Sequence, residues 1–362
     1  MSRHAVVVGA GVFGAAAART LAQRGWTVTL VEQYTPGNVR AASGGDTRLL
    51  RFAHGDVEWY TELARSARAQ WLELQERTGT RIFEPVGVAW FARTDDGFES
   101  RSRSAFDRLG VRYEWLAPDD ALGLYPSLRV DDLTAVLYEP DAGVLHARRA
   151  TQLLVEDAER HGTRLETARI RPDDVPAADA VVWACGAWLP ALFPQEVELT
   201  LSRQEVFFFG GEGAWQGTPG FCDYGAAFYG HGEVAGLGVE IASDAPGGDL
   251  DPDGVDRIPS EAGRSEARGY AAHRFPELAT APVLGGRVCQ YVLTADTHFV
   301  VARHPQNESW WLVGGGSGHG FKHGPALGDY VADCVEGVRE PEAFHALGRR
   351  GASAALRSAA SA

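Results

Sequence analysis

The stretch His4–Glu32, "HAVVVGAGVFGAAAARTLAQRGWTVTLVE", decides the fold. A short apolar run leads into the glycine motif GxGxxG, then into an alanine-rich segment, and a second apolar run ends at Glu32. This order predicts a strand, a tight turn, a helix and a second strand, which together form a nucleotide-binding βαβ unit. A glycine triplet alone is weak evidence, whereas the complete unit within about thirty residues is specific.

Each residue of the motif has a physical task. Gly9 permits the tight turn, Gly11 lets the backbone approach a pyrophosphate, and Gly14 lets the helix pack closely on the strand. The helix N-terminus then faces the phosphates. Glu32 can accept hydrogen bonds from a ribose diol, which disfavours the 2′-phosphate of NADP. The motif therefore predicts a bound dinucleotide, but it does not distinguish FAD from NAD.

Composition excludes several classes of partner. The chain has 362 residues and a net charge of −14, which argues against nucleic acid or an anionic membrane surface as a partner. Its four cysteines show no CxxC pairing and no metal-ligand spacing, so we expect reduced thiols and no metal site. The start, "MSRHAVVVGAG", contains no signal-peptide pattern, and we expect a cytoplasmic protein.

The pattern of predicted helices and strands changes along the chain. Alternating helix and strand patterns give way to short β-rich runs such as "QEVFFFGG" and "GLGVEIAS". We predict an α/β fold, in which a doubly wound nucleotide-binding domain carries an inserted, mostly antiparallel substrate domain. The predicted nucleotide-binding segments are 1–80, 145–200 and 287–340, and the substrate segments are 81–144 and 201–286. Residues 341–362, which end in small-residue low complexity, are expected to form a mobile tail.

The turn "GGGSGHGFKHGP" (314–325) contains Lys322, the only lysine of the chain beside 33 arginines. A lysine in a loop is ordinarily a solvated side chain. Because this chain uses arginine almost everywhere else, a compact ammonium group in a glycine-rich turn indicates a specific task. The turn also precedes a helix, so its amide groups can face an anion or a polar ring.

Four motifs in one chain resemble a known family. They are "SGGDTRLLR" (43–51), "VVWACGAW" (181–188), "RVCQY" (287–291) and "GSGHGFK" (316–322). In this order they resemble the monomeric sarcosine oxidase and N-methyltryptophan oxidase family, within the D-amino-acid-oxidase-like FAD enzymes, over about residues 4 to 338. The resemblance implies FAD as the cofactor. It also implies oxidation of the C–N bond of a secondary or cyclic amino acid to an imine, by hydride transfer to flavin N5.

The resemblance assigns roles to individual residues. Arg51 and Lys322 match the pair that binds the substrate carboxylate, and a planar fork beside a point charge suits that group. Tyr229 and Tyr291 match aromatic walls of the substrate pocket, although core positions for these tyrosines are an alternative. Aromatic walls suit an amine that arrives as a cation and is then partly desolvated.

The same resemblance assigns the cofactor contacts. Cys289 matches a cysteine that carries the flavin as a thioether, and Arg48 matches an arginine beside the flavin ring. A cation lowers the pKa of a nearby thiol, which favours the reactive thiolate. The alternative is that Cys289 is a buried small apolar residue. The remaining matched cofactor contacts are Gly186, Gly316, Gly318, Gly320 and Lys322.

The chain departs from the family at two positions. Relatives that act as oxidases place a lysine over flavin N5, where this sequence has Gly238. The family histidine whose position matches near Ala242 is also absent here. Arginine does not replace that lysine simply, because its pKa is too high and its fork is bulkier. Two hypotheses follow. Either another electron acceptor replaces O2, or a different cation such as Arg48 activates O2.

Other functions remain open at this level. Oxidation of a 2-hydroxy acid needs the same carboxylate clamp and a base, for which His319 could be recruited. A flavin-holding protein without catalysis is a further alternative, although Arg51, Lys322 and Tyr291 would then have no role. For the leading interpretation, the expected partners are a small carboxylate-bearing amine and O2 or another acceptor, and the expected state is a monomer.

Overall fold

The computed structural model describes residues 2–211, 213–254 and 256–349. In chain order, the strands are β1 (His4–Val8), β2 (Thr27–Glu32), β3 (Thr47–Leu50), β4 (Phe83–Glu84), β5 (Val88–Ala92), β6 (Glu114–Leu116), β7 (Ala135–Glu139), β8 (Gly143–His146), β9 (Arg164–Thr167), β10 (Ala180–Trp183), β11 (Thr200–Phe209), β12 (Gly220–Asp223), β13 (Phe228–His231), β14 (Val239–Ser243), β15 (Val283–Leu293), β16 (Val300–His304) and β17 (Asn307–Gly314). The helices are α1 (Val12–Gln23), α2 (Glu58–Thr78), α3 (Phe98–Leu109), α4 (Ala147–Arg160), α5 (Leu189–Leu192), α6 (Glu261–Arg274) and α7 (Gly324–Val335).

The first large sheet has the strand order β16–β17–β10–β1–β2–β9. Its strands are parallel except for the edge strand β16, which runs antiparallel to β17. The apolar runs of β1 and β10 are buried along almost their whole length, as expected for a parallel sheet covered on both faces. Parallel order places the carboxyl ends of β1, β2, β10 and β17 at one edge, where ligands bind in such folds.

Helix α1 packs between α4 and α7 because its inward face carries small side chains. The four alanines of residues 15–18 have no exposed surface. Gly328 of α7 lies so close to α1 that a Cβ atom added to Gly328 would come within 2.6 Å of the backbone of Ala16. A buried ion pair of 2.6 Å between Arg19 and Asp157 connects α1 to α4. These contacts fix the start of α1 at the edge where β1 ends.

The second large sheet has the strand order β15–β11–β14–β13–β12–β5–β7–β6. All its neighbouring strands are antiparallel except β5 and β12, which are parallel. A smaller antiparallel sheet, β3–β8–β4, lies in the same chain. The α/β class with a mostly antiparallel second sheet is thereby confirmed.

The predicted helices and strands agree with the structure in part. Apolar residues at helical spacing from Tyr60 to Leu74 predict a helix, and they lie in α2, which Gly79 caps in the left-handed conformation. Apolar residues at helical spacing from Leu327 to Val338 predict a last helix, which is α7, but Val338 lies beyond its end and is 69% exposed. Helices α3 and α6 were not predicted, because their polar sequences lie among the β-rich runs.

The division into domains stays a prediction. Its boundary at residue 287 falls inside β15, which pairs with β11 in the second sheet. Residues 341–349, assigned to the tail, include buried His345 and an ion pair of 2.6 Å between Arg349 and Asp296. The rest of the predicted tail, 350–362, lies outside the described residues. Among the described residues, no helix has the length and apolar character needed to span a membrane.

Candidate active site

One cavity collects nearly all the residues that the sequence predicts for the site. It lies where the carboxyl ends of the parallel strands face the second sheet, and it encloses about 1910 Å³ of empty space, part of it open to solvent. The predicted residues that line it are Gly9, Gly11, Glu32, Arg48, Arg51, Gly186, Tyr229, Tyr291, Gly316, Gly318, Gly320 and Lys322. Gly14 and Cys289 lie just behind this lining.

The turn after β1 has no space for side chains. Gly9 has φ +100°, and a Cβ atom on it would lie 2.5 Å from the carbonyl oxygen of Ala184. A Cβ atom on Gly14 would lie 1.9 Å from the carbonyl oxygen of Gly9. Glycine is therefore required at both positions, for the left-handed backbone at the first and for close helix packing at the second.

Distant residues complete the nucleotide end of the cavity. Ser43 accepts a hydrogen bond of 3.0 Å from the backbone N–H of Val12, at the start of α1. Glu32 accepts from the backbone N–H of Ala10 at 2.8 Å and of Tyr34 at 3.0 Å. These two donors hold the carboxylate at the cavity wall, and its contact with a ribose diol stays a prediction. Ser43 belongs to the motif "SGGDTRLLR", but its hydrogen bond to the start of α1 was not predicted.

The turn after β17 is tied to the end of β15. Ser317 has a positive φ of 46°, and its backbone N–H donates to Val292 at 2.9 Å. Its hydroxyl donates to the carbonyl of Gly315 at 3.0 Å and accepts from the N–H of Thr294. A Cβ atom on Gly320 would meet the ring of Phe13 at 2.7 Å. The glycine-rich turn thus packs on the start of α1 and brings both loops to one cavity.

Arg48 and Cys289 are in direct contact. The Nη2 atom of Arg48 lies 2.9 Å from the Sγ atom of Cys289 and also donates to the carbonyl of Ala42. Burial opposes the charge of Arg48, but the acidic groups of Cys289, Tyr229 and Glu240 outweigh it and raise the pKa of Arg48 above its ordinary value. A permanently charged guanidinium therefore lies beside the thiol of Cys289.

Arg51 and Lys322 come together although 271 positions separate them in the chain. Both line the cavity, and the Nζ atom of Lys322 donates to the carbonyl of His319 at 2.8 Å. Burial, followed by the charge of Arg51, lowers the pKa of Lys322 well below its ordinary value. An anion bound between the two cations would favour the protonated lysine, because opposite charge stabilises it.

Glu139 holds the segment that carries Arg51, and sequence reasoning missed it. Its buried carboxylate accepts hydrogen bonds from the backbone N–H of Phe52, from that of Ala53 at 3.2 Å, and from the indole of Trp90. The guanidinium of Arg51 lies 4.9 Å from the centre of the Trp90 ring. An acidic residue inside the apolar strand "AVLYE" was the available signal, because buried carboxylates need several donors.

The aromatic wall contains more residues than predicted. The hydroxyl of Tyr291 lies 3.1 Å from the hydroxyl of Tyr229 and 3.1 Å from a carboxylate oxygen of Asp244. Tyr224 also lines the cavity and stacks on Phe98, with ring centres 4.5 Å apart. Trp90, Tyr224 and Asp244 were not predicted, because their neighbours in sequence carry no motif.

The two positions that depart from the family lie outside the cavity lining. A Cβ atom on Gly238, which has φ +93°, would lie 2.5 Å from the carbonyl oxygen of Phe209. Ala242 is fully buried and pairs with Tyr229 across the second sheet. Neither position offers a charged group toward the cavity.

Three histidines form a buried cluster behind Lys322. Ring nitrogens of His54, His319 and His323 all lie within 4.8 Å of one another, so the cluster could hold a metal ion. Burial, followed by the charge of Lys322, lowers the pKa of all three well below its ordinary value. The cations Lys322 and Arg51, which disfavour protonation here, would also disfavour a divalent ion. The absence of a metal site stays a prediction.

The fold and the cavity define a dinucleotide-dependent protein with a second, substrate-facing sheet. The model of the family described as "FAD dependent oxidoreductase" matches residues 4–334. The chain belongs to this family and is an FAD-dependent oxidoreductase. This finding decides between FAD and NAD, which the glycine motif left open, and confirms the family resemblance.

Individual proteins similar to this chain include monomeric sarcosine oxidase of Bacillus sp. (strain NS-129). It is 30% identical to this chain, over 92% of this chain and 94% of the length of that oxidase. N-methyl-L-tryptophan oxidase of Yersinia pestis (strain Pestoides F) is 25% identical over 92% and 94%. Among solved structures, L-proline dehydrogenase from P. horikoshii has a TM-score of 0.81, covering 95% of this chain and 96% of that chain at 21% identity. The last likeness shows a shared fold.

We predict that Gly9→Ala lowers the affinity for FAD at least about tenfold, because the new methyl group displaces the turn from the carbonyl of Ala184. The measurement is the flavin-to-protein ratio of the purified protein, with far-UV circular dichroism as a check of folding. Gly269→Ala is the matched control, since a Cβ atom on this α6 residue meets nothing within 4 Å. Equal flavin content in all three proteins would contradict the prediction.

Proposed function

We propose that the enzyme oxidises the C–N bond of a secondary or cyclic amino acid, such as an N-methyl amino acid or an imino acid, to an imine. The observation that carries this proposal is the pair of cations, Arg51 and Lys322, in the same cavity as the dinucleotide-binding turn. The names of the relatives support it, since sarcosine, N-methyl-L-tryptophan and L-proline each carry a carboxylate and a secondary amine.

The residues around the cavity fit FAD. Glu32 and the turn at Gly9 would hold the adenosine end, and the turn of residues 314–322 would hold the flavin end. When bound, FAD supplies the acceptor for the hydride that leaves the substrate carbon. The cavity extends continuously between these two groups of residues, which an elongated dinucleotide requires.

The chain's own contribution is binding and orientation. Arg51 and Lys322 would bind the substrate carboxylate from two directions and fix its tilt. Trp90, Tyr224 and Tyr229 would exclude water around the amine. The neighbouring histidines are neutral, and no strong base is needed if the amine reacts in its uncharged form. The imine product would be hydrolysed in solution or passed on.

The test is an anaerobic panel of substrates. We expect N-methyl amino acids or cyclic amino acids to bleach the flavin absorbance, and the same amines without a carboxylate to leave it unchanged. Arg51→Gln should raise the KM for the active compound by about 10- to 100-fold, as for the loss of a hydrogen bond to a charged group. Arg303→Gln, at an exposed position on β16, is the matched control.

Each other outcome of the panel is informative. Bleaching by 2-hydroxy acids alone would replace the proposal with the hydroxy-acid alternative. Absence of bleaching across the whole panel would favour a flavin-holding protein without catalysis.

We also propose that FAD is attached covalently through Cys289. The support is the contact of 2.9 Å between its Sγ atom and the Arg48 guanidinium, which places a permanent positive charge beside the sulfur that would form the thioether bond. We predict that acid-precipitated protein stays yellow, whereas Cys289→Ser releases its flavin to the supernatant. Cys334→Ser, a change at a buried cysteine of α7, should keep the flavin in the pellet. Flavin in the supernatant of the unaltered protein would contradict covalent attachment.

Oxygen is proposed to be a poor electron acceptor for this enzyme. The chain's only lysine belongs to the carboxylate pair, and Gly238 lies outside the cavity lining. The guanidinium of Arg48 already donates hydrogen bonds to two backbone carbonyls and to the Cys289 sulfur. When reduced enzyme is mixed with O2 in a stopped-flow instrument, we expect a rate near that of free reduced flavin. A much faster rate would show that another cation, with Arg48 the first candidate, activates O2.

A further inference from the structure

Asp244 places a carboxylate in the wall of the cavity that holds Arg51 and Lys322. It follows β14 directly, and its backbone N–H donates to the carbonyl of Ala227 at 2.7 Å. Its side chain accepts a hydrogen bond of 3.1 Å from the hydroxyl of Tyr291. The position of this carboxylate is therefore fixed from both the backbone and the side chain.

The tyrosine hydroxyls around Asp244 form an ordered chain. Tyr291 has one phenolic proton, and its hydroxyl lies 3.1 Å from the Asp244 carboxylate, which can only accept, and 3.1 Å from the hydroxyl of Tyr229. Burial raises the pKa of Tyr229 above its ordinary value, which keeps that hydroxyl a donor. The Asp244 side chain thus meets a tyrosine hydroxyl that donates to it, in a wall where both tyrosines contact each other.

Opposite charges face the same part of the cavity. Burial raises the pKa of Tyr224 to about 12, and the charges of Arg51 and Asp244 act on it in opposite directions. Cys222 also lines the cavity, and burial raises the pKa of its thiol, while the charges of Arg51 and Lys322 act to lower this pKa and that of Asp244 acts to raise it. The substrate end of the cavity therefore presents two cations and a carboxylate. This pattern is complementary to an amino acid zwitterion, which carries a carboxylate and an ammonium group close together.

We propose that Asp244 binds the secondary ammonium group of the substrate and thereby selects zwitterionic amino acids over 2-hydroxy acids and other uncharged analogues. The inference rests on the proposed function, because Arg51 and Lys322 must hold the carboxylate at the other end. A hydroxyl, ether or thioether offers Asp244 no positive charge, whereas an ammonium group forms a charge-assisted hydrogen bond with it. Asp244 thus acts on the choice of substrate, through the cationic amine that first enters the cavity, whereas the oxidation step of the proposed function uses the uncharged amine.

The experiment compares ligands that differ in one atom. Proline and N-methylglycine are matched with tetrahydrofuran-2-carboxylate and methoxyacetate, in which oxygen replaces the nitrogen. Dissociation constants for the amines come from the concentration dependence of anaerobic flavin reduction. Those for the oxygen analogues come from the change in flavin absorbance of the oxidised holoenzyme.

We expect Asp244→Asn to weaken binding of the amines at least about tenfold, the usual effect of losing a hydrogen bond between charged groups. Binding of the oxygen analogues should change by less than about twofold on the same scale. Asp244→Glu, which keeps the charge, should restore part of the preference for amines. Arg51→Gln should weaken both classes equally, because both carry the carboxylate.

Two results would overturn the inference, and they are distinguishable from failure of the proposed function. If Asp244→Asn leaves the amine affinities unchanged, or weakens amines and oxygen analogues alike, Asp244 does not recognise the ammonium group. If the unaltered enzyme binds none of these carboxylates, the clamp of Arg51 and Lys322 fails, and the proposed function fails with it.

Discussion

The cost of burying positive charge governs the organisation of this site. Arg48, Arg51 and Lys322 line one cavity, and an uncompensated buried charge costs several kcal/mol, on the order given for desolvated ions. Arg48 is compensated by backbone carbonyls and the Cys289 thiol, and its pKa is raised. Lys322 has a carbonyl partner at 2.8 Å, and its pKa is lowered. Arg48 is thus permanently charged. Lys322 would be favoured in its protonated form when an anion binds beside it.

This compensation requires both large sheets. The first sheet and its turns supply the glycine-rich backbone and Lys322, while β15 supplies Cys289 and Tyr291. The short strand β3 carries Arg48 and ends just before Arg51. Glu139, at the end of β7, then holds the backbone after Arg51 in place. Binding of cofactor and substrate is therefore distributed over elements that fold around the cavity together.

Sequence reasoning succeeded where a residue type has a local physical reason. Gly9 needs a positive φ, and the alanines of α1 need close packing, so both are visible in a single stretch. Helix α6 was missed, although Ser260 caps it through the N–H of Gly263 at 3.0 Å, because its face is mostly polar. The end of α7 was misplaced at Val338, since helical spacing continues in the sequence after the hydrogen-bonded helix ends.

The amino-acid sequence by itself determined the nucleotide-binding unit, the α/β class and the family, because glycines, apolar periodicity and ordered motifs act over short distances. The tertiary structure decided which charges meet. The contact between Arg48 and Cys289 joins residues 241 positions apart, and Asp244 meets Tyr291 across 47 positions. No local pattern encodes such contacts, because they depend on strand order in the second sheet and on the burial that it creates.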